Sequence, residues 1–334
     1  MTTAVVPYRH PDGAGVGRAR SWADLPDDER RCRAVEACRD HDTKALWDLT
    51  DAHLTLYGRA GARISPYTRG NYQRGVAALV TAWRQENLLR PRRDAGALWV
   101  RALESTGGPD GTGLMPSTVK VRLAGARALY AALRWAGTTE LDPLRDAHPA
   151  KDLVPAWEKR HPYDEDEIRR LIMFSTGEDQ ALVLLGAHAG LRVSEMLALR
   201  WDDVDLGGRQ VSVCKGKGDK PRTVAMSQSL AATLDDLRGT HEHAHEHTTA
   251  GRTGPVLPYG TAVSAWNRLK RVCVNAGVTP KGIHSLRHAA GTRVVHETGS
   301  LEEAARHLGH ASIETTRVYA KWSNTKLKAT VGEW

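Results

Sequence analysis

The sequence predicts a mainly α-helical protein with a small antiparallel β-sheet, divided into two domains. Apolar residues recur at three- and four-residue steps over most of residues 43–143, which is the period of amphipathic helices. One stretch, RQVSVCKGKGDKPRTVAMS, alternates on both sides of a Gly-rich centre and predicts a β-hairpin. Between these regions, DPLRDAHPAKDLVPAWEKRHPYDEDE has four prolines and no apolar period, which predicts a linker.

Composition limits the class of protein. Hydrophobic residues make up 41% and charged residues 26%, which fits a globular chain and excludes wholesale disorder. The net charge of +8 is compatible with a polyanionic partner but does not identify one. The four cysteines lack metal-type or framework spacing and indicate reduced thiols. With neither a signal core nor a membrane-length apolar span, we expect a soluble, cytoplasmic protein with no membrane partner.

The first domain is expected to follow an N-terminal extension. Residues 1–42 begin with a Gly-, Pro- and Arg-rich part that predicts poor order to about residue 25, and continue with a short helix in DDERRCRAVEACRD. A longer helix is predicted to start at Ser65 and Pro66. Its apolar stripe comprises Tyr72, Val76, Leu79 and Trp83. A second helix of this design should run from Ser117 to Gly137, with Val121, Ala124, Ala128 and Leu129 as its stripe.

Both of these helices carry basic residues away from the apolar stripe. They are Arg69 and Arg74 in one helix, and Lys120, Arg122 and Arg127 in the other. Either set alone is typical of a solvated helix face. Two such faces in one small helical domain predict a surface that contacts phosphates.

The second domain contains several side chains suited to anion chemistry. Arg192 lies between Gly190 and a helix that starts near Ser194, with Glu195 placed to hold its guanidinium. His284 and Arg287 are one helical turn apart, whereas the neighbouring His288 is expected to point elsewhere as a packing or supporting residue. Taken alone, each pattern is equally typical of a structural ion pair or a packed histidine.

Two further patterns complete the set. Lys217 falls at or near the predicted hairpin tip, where a lysine is usually solvated. His310 follows Gly309, a typical helix C-cap, and Ser312 is predicted to open the helix that carries Tyr319. The order along the chain is therefore Arg, Lys, His-x-x-Arg, His, Tyr.

In this order the sequence resembles the tyrosine recombinases, the family of phage integrases and Xer-type resolvases. The resemblance runs from Thr43 to Trp322 and is dense around GLRVSE, GKGDKPR, HSLRH and LGHASIETTRVY. It implies a helical core-binding, SAM-like DNA-binding domain at 43–148, a linker at 149–162, and a tyrosine-recombinase catalytic domain with a C-terminal tail at 163–334. Such proteins clamp DNA between their two domains.

The resemblance also implies a role for each residue. Arg192, Arg287 and His310 would hold the phosphate, Lys217 would protonate the leaving 5′-oxygen, and Tyr319 would be the nucleophile. His284 would accept the tyrosine proton, with Glu195 and His288 in support. The product is a 3′-phosphotyrosyl link that conserves bond energy, so neither ATP, a metal ion nor another cofactor is expected. Attack builds charge on the phosphate oxygens, and arginine forks supply fixed donors for that charge.

Implied partners are double-stranded DNA and three further copies of the chain. We expect a nucleoid-associated homotetramer on two duplexes, formed from free monomers. Whether a second recombinase or an accessory protein takes part stays open, as does the choice between chromosome-dimer resolution and mobile-element integration. Type IB topoisomerase chemistry and an inactive DNA-binding protein are the alternatives. The tract HEHAHEH, His241 to His247, could bind a metal but is more typical of a solvated loop.

Overall fold

The computed structural model describes residues 13–108, 110–154, 161–213, 221–243 and 254–310, together with Thr316 and Tyr319. Contacts between Cα atoms divide the chain into two units, Met1–Leu153 and Val154–Trp334. Over the described ranges, no helix has both the length and the apolar character needed to cross a bilayer.

The first unit consists of helices. They are α1 (Gly13–Ala23), α2 (Asp27–Arg39), α3 (Thr43–Tyr57), α4 (Pro66–Ala82), α5 (Ala95–Thr106) and α6 (Pro116–Trp135), with a 3₁₀ turn at Gly61–Arg63. Helix α4 begins as predicted, because the Ser65 hydroxyl accepts a hydrogen bond from the Thr68 backbone N–H at 3.1 Å and Pro66 occupies the first helical position. Helix α6 begins earlier than predicted, with Met115 and not Ser117 before its first turn.

The buried face of α6 differs from the predicted stripe. Val121 is 39% exposed. Leu129 of the predicted stripe is buried, together with Val119, Leu123, Ala126, Tyr130, Ala132 and Leu133. The buried face of α6 is determined by a close backbone contact with α4, in which Gly75 of α4 faces Gly125 of α6. A Cβ on Gly75 would lie 2.9 Å from the Gly125 Cα. In α4 the predicted stripe is confirmed, since Val76, Leu79 and Trp83 are buried and Tyr72 packs against them.

Helices α1 and α2 occupy part of the predicted extension, 1–42, and both contribute to the core of the first unit. Ala19 and Trp22 are 1% exposed, and three residues of α2 are buried in the same cluster: Ala34, Ala37 and Cys38. The Gly- and Arg-rich composition predicted poor order to about residue 25. A single tryptophan with small residues around it provides enough apolar contact to place α1 on the core.

The second unit contains seven helices within its described part, and one sheet. They are α7 (Glu165–Met173), α8 (Gly177–Ala187), α9 (Val193–Ala198), β1 (Val204–Asp205), β2 (Gln210–Val213), β3 (Arg222–Ala225), α10 (Gln228–His243), α11 (Ala262–Asn275), α12 (Ile283–Thr298) and α13 (Leu301–Leu308). The strands are antiparallel in the order β1-β2-β3, with Val211 opposite Val224. The predicted mainly helical fold with one small antiparallel sheet is confirmed, and so is the hairpin. Its tip, residues 214–220 with Lys217, lies outside the described residues.

Helix α8 is the centre of the second unit. It is buried from Ala181 to Ala187 and packs against α7, α10, α11 and α12. The chain leaves α8 through Gly190, whose φ of +65° is a conformation that glycine adopts without strain. A Cβ at Gly190 would lie 2.5 Å from the Leu308 Cδ2. This close approach brings the start of α9 beside the end of α13.

Candidate active site

A buried carboxylate, Glu195, organises one side of the candidate site. Glu195 is 3% exposed and accepts hydrogen bonds from the Arg192 guanidinium at 2.8 Å and from the Arg192 backbone N–H at 2.9 Å. The contact between these two side chains is the one that the sequence predicted. Burial by itself would raise the pKa of the Glu195 carboxyl, but hydrogen bonds and charge from Arg222 and Arg192 outweigh it, so the pKa lies below its ordinary value.

Arg222 is the residue of this site that sequence reasoning missed. Its Nη1 and Nη2 donate to the two Glu195 oxygens at 3.0 and 2.8 Å, and its side chain is 11% exposed. A Cβ at Gly309 would lie 2.6 to 2.8 Å from the Arg222 Cδ, Nε and Cζ, so the glycine leaves room for this side chain. Strand alternation was the available signal: Arg222 is two residues from the buried Val224, on the same face, and an inward arginine requires a counter-charge.

Arg287 lies at the bottom of the site, 1% exposed. It donates to the carbonyl oxygens of Gly190 at 2.6 Å and of Leu308 at 2.7 Å, which ties α12 to the two segments on either side of it. Its Nη1 is 3.8 Å from the nearer Glu195 oxygen. Burial, followed by the charge of Arg192, lowers the pKa of Arg287 to about 10, so the group remains protonated at neutral pH. Its Nε has no hydrogen-bond partner within the described part of the chain.

Tyr319 is a core residue as well as a candidate nucleophile. It is 1% exposed and belongs to a small apolar cluster with Ala290, Val295, Ala304 and Leu308. Its ring lies against Gly291, where a Cβ would be 2.8 Å from both Cε2 and Cζ. Burial raises the pKa of the Tyr319 hydroxyl to about 12, although Arg287 and Arg192 act in the opposite direction. At neutral pH the hydroxyl is therefore protonated.

The tyrosine hydroxyl contacts His288, which corrects an expectation of the sequence analysis. The distance from His288 Nδ1 to the Tyr319 hydroxyl is 3.1 Å. His284, which was expected to accept the tyrosine proton, is exposed and has its ring centroid 4.5 Å from that of His288. Residues four apart share a helix face, so His288 follows His284 along α12 instead of pointing elsewhere.

His310 is the second histidine whose ring lies beside that of Tyr319. Gly309 ends α13 with a φ of +68°, which confirms the predicted C-cap. The His310 Nδ1 is 2.9 Å from the Thr316 Oγ1, and its ring is nearly parallel to that of Tyr319, at 13° and 6.1 Å between centroids. Burial and then the charges of Arg287 and Arg192 lower the pKa of His310 to about 4, so it is neutral at pH 7. Ser312 lies outside the described residues.

The structure brings together seven of the residues singled out by the sequence, and adds Arg222. Those seven are Arg192, Glu195, His284, Arg287, His288, His310 and Tyr319. Lys217 cannot be placed, because residues 214–220 are not described. No group of three or more metal-ligating side chains occurs among the side chains that the structure describes. The side chains of the His241–His247 tract lie outside that described part.

The five basic residues predicted to face phosphates in the first unit divide into two kinds. The Arg69 Nε is 2.6 Å from an oxygen of Asp51, which is fully buried. Arg127 donates to the carbonyl oxygens of Leu144, Arg145 and Ala147 at 3.1, 3.1 and 2.9 Å. These two arginines are held inside the fold. Arg74 and Lys120 are exposed, and Arg122 is half-buried with its pKa lowered by burial and then by Arg74.

Comparison with known proteins adds two family matches. Residues 163–326 match the model of the phage integrase family, and residues 59–137 match that of the phage integrase N-terminal SAM-like domain. The tyrosine recombinase XerC of Xanthomonas axonopodis pv. citri (strain 306) is 31% identical over 291 residues, covering 80% of this chain and 90% of the relative. The tyrosine recombinase XerD of Neisseria meningitidis serogroup B (strain ATCC BAA-335 / MC58) is 33% identical over 227 residues, covering 64% and 77%.

Two solved structures share the fold. The XerH site-specific recombinase in its post-cleavage complex with palindromic difH substrate has a TM-score of 0.65 at 17% identity, covering 96% of this chain and 94% of that one. A lambda integrase dimer bound to a COC′ core site has a TM-score of 0.60 at 15% identity, covering 81% and 75%.

Proposed function

The chain belongs to the phage integrase family and is a tyrosine recombinase, and from that premise we propose that it cuts and rejoins double-stranded DNA at specific sites through a 3′-phosphotyrosyl intermediate. One observation carries the proposal. The buried hydroxyl of Tyr319 is hydrogen-bonded to His288, and the positive charges of Arg287 and Arg192 act to lower its pKa.

Charge stabilisation is the task of the arginines. Attack on a phosphodiester concentrates negative charge on its nonbridging oxygens, and preorganised donors at that position are usually the largest catalytic contribution. The Arg192 side chain is 30% exposed, whereas that of Arg287 is 1% exposed beside the same Glu195 carboxylate. The Arg287 Nε, which has no partner within the described residues, is a buried donor suited to an anionic oxygen. His284 and His310 would supply further donors.

The covalent step follows from this arrangement. The Tyr319 oxygen forms a bond to phosphorus, and the bond to the 5′-oxygen breaks. The departing oxygen needs a proton, for which Lys217 is the proposed source. Because the phosphotyrosyl link conserves the bond energy, a second 5′-hydroxyl can reverse the step without ATP.

We assign DNA contacts outside this site to the domain at 43–148, with 163–334 as the catalytic domain. Of the five basic residues that the sequence analysis selected there, Arg74, Lys120 and Arg122 are the ones that the fold does not hold in its interior. In the working assembly, four chains would hold two DNA duplexes. Family membership and the basic composition support this assignment.

A nicked suicide substrate tests the proposal, after the target DNA has been identified by sequencing covalent complexes trapped in the native cell. The wild type should form a protein–DNA adduct and Tyr319→Phe none. Tyr130 and Tyr259 are natural alternatives, but their hydroxyls donate to the Leu88 carbonyl and to Asp179. An adduct that persists in Tyr319→Phe would overturn the assignment. Site-independent relaxation of a supercoiled plasmid would instead indicate topoisomerase activity.

The arginines have their own test. Arg192→Lys or Arg287→Lys should slow cleavage by about two orders of magnitude, the scale for loss of a preorganised donor. DNA affinity should stay nearly unchanged because many scattered phosphate contacts supply it. For Lys217, a substrate with a 5′-bridging sulfur, which leaves without a proton, should rescue Lys217→Ala but not Arg192→Ala.

A further inference from the structure

We propose that His288 is the general base that removes the proton of the Tyr319 hydroxyl. This catalytic role rests on the proposed function and deepens it, because it assigns the tyrosine proton to His288 and not to His284, the acceptor that the family resemblance implied.

Distance is the first argument. A general base must lie within hydrogen-bond reach, about 2.6–3.2 Å, of the group it deprotonates. The His288 Nδ1 is 3.1 Å from the Tyr319 hydroxyl, and the two ring centroids are 5.6 Å apart. An Nδ1 that accepts this hydrogen bond is unprotonated, so the neutral ring carries its proton on Nε2.

The tyrosine ring is held in this position by its packing. Gly291, three residues after His288 on α12, has no Cβ, and one placed there would come within 2.8 Å of the ring. Leu308 packs in the same apolar cluster, and the His310 ring lies nearly parallel to the tyrosine. These contacts fix the hydroxyl against His288 before any substrate arrives, which is the preorganisation that proton transfer requires.

The tyrosine needs a base, and its other histidine neighbour is unsuited to the task. Burial holds the pKa of Tyr319 near 12, so the hydroxyl does not ionise unaided at neutral pH. His310 stacks on the ring, but its Nδ1 is engaged with Thr316 and its low pKa makes it a weak proton acceptor. His284 is exposed, and its ring contacts the ring of His288.

As the Tyr319 oxygen bonds to phosphorus, its proton moves to Nδ1 of His288 and gives an imidazolium. The bond from phosphorus to the 5′-oxygen breaks, and that oxygen takes a proton from the general acid, for which Lys217 is proposed. In the rejoining step, the His288 imidazolium returns its proton to the departing tyrosine oxygen.

His288→Asn separates proton acceptance from hydrogen bonding, because the asparagine oxygen can occupy the place of Nδ1 and accept a hydrogen bond but is not basic. Adduct formation on the nicked suicide substrate should fall by about 100-fold or more, the usual scale for general-base catalysis. A second substrate carries a p-nitrophenyl phosphate on its 3′-end. Joining of a 5′-hydroxyl strand to that end should persist, because the aryl leaving group replaces the tyrosine and departs without a proton.

Three controls make the result interpretable. His296→Asn, an exposed histidine on the same helix, should match the wild type in both reactions. Arg287→Lys should lose both. Added imidazole should restore cleavage to His288→Ala, which keeps the test open if His288→Asn folds poorly in a thermal melt.

The base role of His288 would be overturned by cleavage at the wild-type rate in His288→Asn, by faster cleavage, or by loss of both reactions. Faster cleavage would show that the contact restrains the tyrosine, and loss of both would show that His288 shapes the phosphate pocket. A wild-type protein that performs neither reaction on its identified DNA would instead refute the proposed function.

Discussion

Glu195 and Arg222, 27 residues apart in the chain, form a two-point ion pair in which each carboxylate oxygen accepts one guanidinium N–H, at 3.0 and 2.8 Å. Two parallel hydrogen bonds between a guanidinium and a carboxylate fix the orientation of both side chains as well as neutralising their charges. Because Glu195 also binds Arg192, the pair connects the start of β3 to the start of α9. The strand that follows the Lys217 segment is therefore tied to the candidate phosphate pocket.

Replacement of Glu195 by glutamine should destabilise the second unit. The change leaves the positive charges of Arg192, Arg222 and Arg287 close together without their buried counter-charge. Breaking a buried ion pair costs about 3–5 kcal/mol. Urea denaturation should show a loss of this order for Glu195→Gln. Glu165→Gln, which breaks an exposed pair with Arg293, should cost less than about 1 kcal/mol, and equal losses would contradict the prediction.

Gly309 and Gly299 form a matched pair for testing the space around Arg222. Their φ angles are +68° and +71°, so alanine introduces similar backbone strain, about 1–2 kcal/mol, at either position. A Cβ meets Arg222 only at Gly309, whereas nothing lies within 4 Å at Gly299. Gly309→Ala should therefore lose more stability than Gly299→Ala and should also slow cleavage. Identical melting temperatures and cleavage rates in the two variants would show that Arg222 moves aside freely.

Gly291→Ala should displace the tyrosine. The new methyl group would overlap the Tyr319 ring at 2.8 Å and Leu308 Cδ1 at 2.9 Å, so the ring must move away from α12. Misplacement of a reacting group by about 1 Å can cost 100-fold in rate. We expect adduct formation to fall by at least about tenfold with DNA affinity retained. Gly239→Ala, on α10 with open space around the Cβ, should leave the rate unchanged.

In the first unit, Arg69 and Lys120 should respond differently to alanine. Arg69 is the closer of two arginines paired with the fully buried Asp51, at 2.6 Å, and Arg18 lies 3.4 Å from the other carboxylate oxygen. Arg69→Ala therefore leaves Asp51 with its weaker partner alone and should lower the free energy of unfolding by about 1–3 kcal/mol. Lys120 is exposed, and Lys120→Ala should leave stability unchanged. It should weaken DNA binding and reduce the salt dependence of that binding by about one ion. If Arg69→Ala instead weakens DNA binding without a loss of stability, Arg69 belongs to the phosphate-facing surface.

Acid should weaken the second unit through His188. Burial, followed by the charge of Arg293, lowers the pKa of His188 from 6.5 to about 4, and its Nδ1 is 2.7 Å from the Ser227 hydroxyl. The folded state therefore favours the neutral ring. Its contribution to stability is present above pH 6.5 and is lost as the pH falls towards 4. His188→Gln should reduce the difference between urea midpoints at pH 7 and pH 5, whereas the exposed His296→Gln should not.

Local patterns were sufficient for several of the elements. The Ser65–Pro66 start of α4, the hairpin strands and the Gly309 cap depend on short-range chemistry, and the structure confirms each. What could not be predicted depends on distant partners. The face of α6 follows from backbone contact between Gly75 and Gly125.

The role of His288 depends in the same way on a hydroxyl 31 residues further along the chain. The environment of Arg222 depends on Glu195, 27 residues before it, and on the space left at Gly309. Periodicity within one element contains no information about which residue of another element it meets.

The apolar cluster around Tyr319 also bears on which chain supplies the nucleophile to a given phosphate. The tyrosine packs on Ala290, Val295, Ala304 and Leu308 of its own chain, the chain that also provides His288 and Arg287. Among the described residues, the tyrosine and the groups that contact it therefore belong to one chain. A chain with Tyr319→Phe, mixed with a chain that carries Arg287→Lys, should then not recover the cleavage that each lacks.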